Sequence, residues 1–354
     1  MPLYALEDLD DALAVTRGFL LPVDRTTWVK LAVVAFFIGG PGANLNSFQY
    51  TFGGNGTGNG MPRPGEFPFP VPGQFPGPTF GPRTWLLVAA IVGVLLVLAL
   101  AFALVGSIME FVFVESLRAE DVRIREYWGD RWRQGLRLFG FRIVVGLFVF
   151  GSVLLLSAPF LLPLLGVGPV AGGLSIAFLV VLVPLFFVLA IVAGLVNGFT
   201  TVFVVPVMIL EGGGVLAGWR RLWPTITAQW EQYLAYAVAG FVLSILGGIL
   251  IAIATGVLAL LLLIPFGILF AIGIGVLAVA QPFGIGLLAV VGVLFGLTIV
   301  AVAAIVQVPV QTYLRYYALL VLGDVDPDLD LVPDQRAAVR ESSTGSSEST
   351  ESAS

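Results

Sequence analysis

The sequence contains no cysteine and no histidine. Without cysteine the chain cannot form a disulfide, bind an iron–sulfur cluster through thiolates or use a thiol nucleophile. Without histidine it lacks the commonest metal ligand and the commonest general base. With these two residue types missing, we expect no enzymatic activity, no metal site and no cofactor.

Charge is also scarce, since charged residues make up only 11% of the chain, whereas about a quarter of a typical soluble domain is charged. Residues 84–109, 143–210 and 232–314 contain no Asp, Glu, Lys or Arg, and together they cover about half of the chain. Apolar stretches of this length are typical of helices that span a bilayer. The composition therefore predicts an all-α fold, a polytopic transmembrane helix bundle in the cell membrane.

A bilayer core needs about 20 apolar residues per helix, and this length predicts six spans. They lie near 28–49, 84–114, 138–166, 170–210, 232–264 and 284–322. The first span is the weakest, because its apolar run meets Gly39-Gly40-Pro41-Gly42 and is expected to be kinked, short or re-entrant. Residues 265–283 are interpreted as a re-entrant or extended hairpin in the outer leaflet, with a seventh helix as the alternative.

The arginines give the orientation, because short loops rich in Arg and Lys stay cytoplasmic. Residues 115–142 contain seven arginines, which places this segment and both termini in the cytoplasm. The predicted organisation is a cytoplasmic amphipathic segment at 1–27, a transmembrane domain at 28–322 and an acidic, Ser-rich, disordered tail at 323–354. Within the domain, the Gly/Pro-rich residues 53–83 form an outer loop.

Two cytoplasmic segments, 115–137 and 211–231, have the pattern of amphipathic helices lying at the membrane surface. In the first, Trp128 and Trp132 repeat at i+4 between arginines. Five interspersed acids and the adjacent spans argue against nucleic acid as a partner and favour membrane lipids. The predicted headgroup contacts are Arg123, Arg125, Trp128, Arg131, Trp132, Arg133, Trp219, Arg220, Arg221 and Trp223.

Polar residues inside spans are the main candidates for a functional site. Gln307, Gln311 and Arg315 follow each other at i, i+4 and i+8 and so share one face of the last helix. Glu110 and Asn197 are the polar candidates of the second and fourth spans. One interpretation is a polar seam that passes a solute or a proton. The other is hydrogen bonding between helices, with Arg315 either snorkelling to the cytoplasm or pairing with Glu110, which lies at comparable depth.

Asn55-Gly56-Thr57, in the predicted outer loop, fits the acceptor pattern for N-glycosylation. We therefore expect glycan on Asn55 in a host that has the machinery.

Two strings resemble a known family. TYLRYYALLVLGDVDPDLDLVPDQR at 312–336 and ALEDLDDAL at 5–13 are similar to the end and the start of an uncharacterised family of multi-pass haloarchaeal membrane proteins. The single lysine among 17 basic residues, together with the excess of acids, fits a salt-rich cytoplasm. More loosely, the paired helices with Trp/Arg segments resemble the membrane region attached to some glycerophosphodiester phosphodiesterases, whose catalytic barrel has no counterpart here. The resemblance implies a membrane protein and no particular activity.

Three classes of function remain. We expect a non-enzymatic scaffold or membrane-organising component, with a membrane protein partner or a homo-oligomer. The alternative is a small-solute transporter or channel that uses the polar seam. A transporter needs a water-accessible cavity lined by Gln307, Gln311 or Asn197. An intramembrane enzyme comes last, because Glu110 has no second carboxylate beside it in the sequence.

Overall fold

The computed structural model describes residues 4–52, 82–164 and 174–341, and within these ranges the chain is helical with no β-strand. The helices are α1 (Tyr4–Leu20), α2 (Arg25–Phe52), α3 (Pro82–Arg118), α4 (Ile124–Leu164), α5 (Leu174–Phe199), α6 (Val205–Glu211), α7 (Val215–Ala228), α8 (Trp230–Val279), α9 (Gln281–Val325) and α10 (333–341). A π-helical turn (Thr200–Val204) joins α5 to α6, and a 3₁₀ turn (Pro327–Leu329) precedes α10.

Local hydrogen bonds cap two of the helix ends in this chain. Asp24 caps α2, because its carboxylate accepts the amide of Thr27 at 2.9 Å and the hydroxyl of Thr27 at 2.7 Å. At the end of α6, Gly212 adopts a φ of 70° and donates its amide to the Met208 carbonyl at 3.0 Å. That left-handed conformation suits glycine and satisfies one of the last free carbonyls of the helix.

By length and composition, five helical stretches in the described ranges are apolar enough to cross a membrane. They are Arg83–Arg118, Ile124–Ala158, Val180–Glu211, Trp230–Val279 and Gln281–Val325. The first predicted span lies in α2, which runs as one helix from Arg25 to Phe52 and is not interrupted at residues 39–42. The structure therefore shows an all-helical fold with five long apolar helices, one fewer than the six spans predicted.

The two longest helices, α8 and α9, form an antiparallel pair. The helices join at Ala280, and further along the pair the rings of Phe266 and Phe295 lie 5.1 Å apart. Residues 265–283 are thus the tip of an extended helical hairpin, one of the two forms expected for this region. Within the described residues, this region forms no separate seventh helix, because α8 runs to Val279 and α9 begins at Gln281. Whether the hairpin re-enters the outer leaflet stays a prediction.

The helices meet at one end of the bundle, here called the charged end. Lys30 of α2 donates to the Val122 carbonyl at 2.9 Å, and Arg131 of α4 pairs with Glu115 of α3 at 3.0 Å. At the same end, the Gln229 side chain before α8 donates to the Val325 carbonyl at 3.2 Å. Consecutive long helices therefore alternate in direction.

The buried core also lies at the charged end, where Phe111, Leu138, Phe203, Leu222 and Tyr316 are fully enclosed. Towards the opposite end the large apolar side chains are exposed, as in the first half of α3 and along the tip of the α8–α9 hairpin. The bundle is therefore sealed by protein only near its charged end.

The first part of the acidic tail differs from the disordered extension expected from its composition. Leu329 and Val332 are buried, and Arg340 of α10 pairs with Asp8 of α1 at 3.1 Å and with Asp324 at 2.6 Å. The acids of the tail are thus balanced by arginines that composition alone does not place beside them. Residues 342–354 lie outside the described residues.

The arginine-rich stretch before the second long span is the beginning of α4 and not a separate helix. Trp132 and Leu136 are exposed on the outer surface of α4, at 44% and 47% respectively. Their position along a membrane surface stays a prediction.

Candidate functional site

A buried ion pair joins α3 to α9. The carboxylate of Glu110 accepts a hydrogen bond from Nη2 of Arg315, and the two side chains are only 3% and 6% exposed. Each residue borders a long uncharged stretch, Glu110 after 84–109 and Arg315 after 232–314, and a buried charge without a partner is costly. The structure therefore brings together the two ionisable residues that the sequence places at comparable depth.

The π turn supplies the second partner of Arg315. Within the turn, the amide of Val205 bonds to the Thr200 carbonyl, five residues back. The next bond in this pattern would come from residue 206, but Pro206 has no N–H. The Thr201 carbonyl consequently accepts Nη1 of Arg315 at 2.6 Å. Proline thus frees a backbone acceptor at the point where the arginine arrives.

A second arginine, Arg142 of α4, reaches the same carboxylate. Its Nη2 lies 2.8 Å from the Thr201 hydroxyl and 3.5 Å from Glu110, and its Nη1 lies 3.3 Å from the Ser107 hydroxyl. Its Nε is buried and has no hydrogen-bond partner in the described parts of the chain. Two guanidinium groups therefore share one carboxylate, which leaves the cluster with a net positive charge.

The cluster forms one wall of a cavity of about 860 Å³ between α5, α8 and α9. Glu110, Arg142 and Arg315 lie at the end nearest the charged end of the bundle. On α8 the lining runs from Tyr236 to Ile251, which is about 22 Å of helix. These three residues form the charged floor of the cavity, which extends from there along the apolar parts of the surrounding helices.

All five polar candidates from the sequence, Glu110, Asn197, Gln307, Gln311 and Arg315, line this cavity. Gln307 is buried, whereas Asn197 is exposed at the cavity wall. The seam on α9 is thus a real face of a cavity, although its role in passing a solute stays a prediction.

Sequence reasoning missed Arg142, Thr201 and Tyr236. A signal was present for Arg142, because it directly precedes the uncharged stretch 143–210, just as Glu110 and Arg315 directly follow the stretches 84–109 and 232–314. Charges that border apolar stretches lie at similar depth when helices pack side by side. No comparable signal marks Thr201, whose carbonyl depends on the π turn.

Several residues predicted to contact lipid headgroups have protein partners. Arg131 pairs with Glu115, Arg221 lies 3.3 Å from Asp326, and the Trp219 indole donates to the Thr200 hydroxyl at 2.9 Å. Arg123 pairs with Asp121 at 2.6 Å but is exposed. The remaining residues lie partly or largely at the surface: Arg125, Trp128, Trp132, Arg133, Arg220 and Trp223. Headgroup contact stays a prediction for all ten residues.

Asn55 lies outside the described residues, and so does the Gly/Pro-rich loop from 53 to 81. In the part of the chain that the structure describes, no group of three or more His, Cys, Asp or Glu residues is arranged to hold a metal ion.

At the charged end, an ionic cluster joins the two ends of the described chain. Asp8 of α1 is fully buried, and burial, followed by the neighbouring Asp324 carboxylate, raises the pKa of Asp8. Arg340 of α10 also pairs with Asp11 at 3.1 Å. This cluster is structural, since it holds α1 and α10 against the end of α9.

Residues 3–332 match the family model described as a family of unknown function, DUF7544. The chain belongs to this family. The match includes α1 through the 3₁₀ turn, and so it contains every residue that lines the cavity. No curated protein matches the chain, and no solved structure matches it. The haloarchaeal origin stays a prediction.

Proposed function

We propose that this DUF7544 protein crosses the cell membrane six times, with α2 as the first span, and carries a small solute through the cavity above the Glu110 cluster. A six-span chain returns both termini to one side, in agreement with the single charged end. The arginines of that end put it in the cytoplasm.

The cavity is the observation that supports transport over a purely structural role. A transporter needs a polar site within the membrane, between helices, where a solute can bind. Gln307, Gln311 and Asn197 line such a space, and three glycines of α5 and α8 that border it, Gly194, Gly198 and Gly248, have open space where a Cβ would be. Interhelical bonding alone explains the ion pair but not the cavity.

A scaffold is the second candidate, and the hairpin tip favours it. Val279 and Phe283 at the tip are 90% and 77% exposed, and Arg315 lies 34 residues, about 51 Å of helix, from Gln281. Even when tilted by about 40°, a helix of that length rises about 39 Å, whereas the bilayer core is about 30 Å thick. A partner protein or a second copy would be needed to cover the part that projects.

Single cysteines in this cysteine-free chain test the transport proposal. We choose Gln311→Cys, and as the matched control Ile305→Cys, which is 43% exposed on the same helix but does not line the cavity. A charged, membrane-impermeant methanethiosulfonate reagent is applied to proteoliposomes, either outside only or inside only. The reagent attacks thiolates and therefore reports contact with water.

We expect Gln311→Cys to be labelled from each side, at least about tenfold faster than Ile305→Cys, since a transporter exposes its site to the two sides in turn. Labelling from one side only, or equally slow labelling of the two variants, would contradict transport.

A further inference from the structure

The charge of the cavity floor constrains what the cavity can bind. Arg142 and Arg315 both bind Glu110, which in the described ranges is the one acid within ion-pair distance of either. One positive charge is therefore left without a counter-charge. A buried charge in an apolar environment is costly unless an opposite charge accompanies it. An anion in the cavity would supply the missing partner.

Arg142 is the guanidinium that faces such an anion. Arg315 is 6% exposed and held by Glu110 and by the Thr201 carbonyl at 2.6 Å, whereas the Arg142 side chain is 26% exposed. Two of the three contacts of Arg142 are long, at 3.3 and 3.5 Å. Guanidinium donors pair preferentially with the oxygens of phosphate and carboxylate groups, in bidentate geometry.

The cavity walls indicate that an apolar body accompanies the anionic head. Beyond the cluster the lining is mainly apolar: Ile191, Leu195, Phe241, Ile251, Val310 and Leu314. Neutral amides interrupt this surface only at Asn197, Gln307 and Gln311. A volume of about 860 Å³ is within the range of sites for drug-sized ligands.

We propose that the cavity binds an amphiphile with a singly charged oxyanion head, a phosphodiester or a carboxylate, placed on Arg142. This inference rests on the proposed function, because it names the class of solute for the same cavity. The head would lie on the charged floor, and its apolar body would extend along α8 towards Ile251. The same head chemistry occurs in membrane lipids and in free organic anions.

Native mass spectrometry of the purified full chain in neutral detergent tests the proposal. The probes are dioctanoyl phosphatidylglycerol, which is anionic, dioctanoyl phosphatidylcholine, which has the same tails and no net charge, and diethyl phosphate, which has the anionic head and no long tails. We expect phosphatidylglycerol to bind about tenfold more tightly than phosphatidylcholine. Equal affinity for the two lipids in the unmodified protein would overturn the proposal.

Substitution of Arg142 locates the preference. Arg142→Gln should abolish the discrimination between the two lipids, and Arg142→Lys, which keeps the charge, should retain part of it. The matched control is Arg137→Gln, an exposed arginine on the same helix that does not line the cavity, and it should discriminate as the unmodified protein does. Undiminished discrimination between the two lipids in folded Arg142→Gln would contradict the assignment of the anionic head to Arg142. If that variant does not fold, the criterion is instead competition between the probes in the unmodified protein.

Two further outcomes separate the sources of the ligand and the two proposals. If diethyl phosphate displaces phosphatidylglycerol at similar concentrations, the head alone is recognised, which supports a free anion; displacement only at concentrations at least about tenfold higher supports a lipid. No displacement at all would contradict a site for the oxyanion head. If Gln311→Cys is labelled from both sides while the lipids bind equally, transport stands and the anion inference fails.

Discussion

Glu110 holds three helices together, because its carboxylate extends from α3 to Arg142 of α4 and Arg315 of α9. Removing one partner of a buried ion pair costs about 3–5 kcal/mol, since the other charge is left without compensation. The cost is unequal here. Loss of Glu110 leaves two guanidinium groups together, whereas loss of Arg315 leaves Glu110 still paired with Arg142.

The first prediction is therefore a strong coupling between Glu110 and Arg315, with unequal losses of stability for the two single changes. Each single change to alanine should lower the stability of the purified protein in detergent, and Glu110→Ala should lower it more. The double variant should lose less than the sum of the single losses, by about 0.5–3 kcal/mol, as expected for residues in contact. The measurement is equilibrium denaturation of the three variants and the unmodified protein.

Arg221→Ala combined with Glu110→Ala is the control for this cycle, because Arg221 pairs with Glu211 at 3.4 Å and not with Glu110. The losses of that pair should add to within about 0.5 kcal/mol. Additive losses for Glu110 and Arg315 as well would mean that the two side chains do not depend on each other.

At the residue scale, the sequence predicts the members of the cavity better than the contacts between them. Gln307, Gln311 and Arg315 could be predicted to share a face because helical spacing alone decides it. Arg142 is marked in the sequence by its place directly before the uncharged stretch 143–210, but its contacts depend on where α4 passes α3. The acceptor of Arg315 on Thr201 depends on a single missing amide, that of Pro206, within a π turn that no periodicity reveals.

Among the elements, the α8–α9 hairpin depends on close backbone approach near its turn. A Cβ built on Gly284 would overlap the backbone of Leu277, a clash that cannot be relieved by moving a flexible side chain. Two residues further along α9, Gly286 has nothing within 4 Å of its Cβ position. The two glycines thus lie on the same helix in opposite environments.

The second prediction compares Gly284→Ala with Gly286→Ala. The first change should destabilise the protein by about 1–3 kcal/mol, because the hairpin must open to admit the methyl group. The second should leave stability unchanged or raise it by up to about 1 kcal/mol, since alanine favours helix over glycine. Thermal unfolding in one detergent compares both variants, and equal effects would mean that α8 and α9 do not pack closely at their turn.

The sequence also predicts the apolar helices better than it predicts where helices end. Uncharged stretches mark the parts of α3, α4, α5, α8 and α9 that must avoid water, since burial of a charge is unfavourable there. The start of α4 was less predictable, because ion pairs such as Arg131 with Glu115 keep a charged stretch helical and packed. The folding of α10 against the bundle depends on ion pairs with acids of α1, which lie more than 300 residues away in the sequence.

For the stability of the whole molecule, the location of the polar contacts matters more than their number. Ion pairs, helix ends and the buried core gather at the charged end, whereas the other end presents apolar side chains outwards. An arrangement of this kind is stable only if lipid or protein covers the apolar part. Stability in detergent should therefore report mainly on the charged end.

Asp8 makes that stability depend on pH. It is fully buried beside Asp324, and no hydrogen-bond donor of the described residues reaches its Oδ2. Burial and the neighbouring carboxylate favour the protonated acid, so that the pKa of Asp8 is raised in the folded protein. In the unfolded chain the pKa returns to the ordinary carboxyl value of about 4.

The third prediction follows from this difference in pKa. Between the two values the folded protein binds more protons than the unfolded chain, and a proton-richer folded state loses stability as pH rises. The contribution of Asp8 is therefore fully present below pH of about 4 and declines as pH rises through the folded pKa. Asp8→Asn, which cannot ionise, should remove this decline, so its stability relative to the unmodified protein should improve steadily with pH.

Asp10→Asn is the control, since it removes the same charge from an exposed position of α1 and should show the same decline as the unmodified protein. Thermal unfolding over this pH range measures all three proteins, and parallel curves for Asp8→Asn and Asp10→Asn would mean that Asp8 is ionised in the folded state throughout.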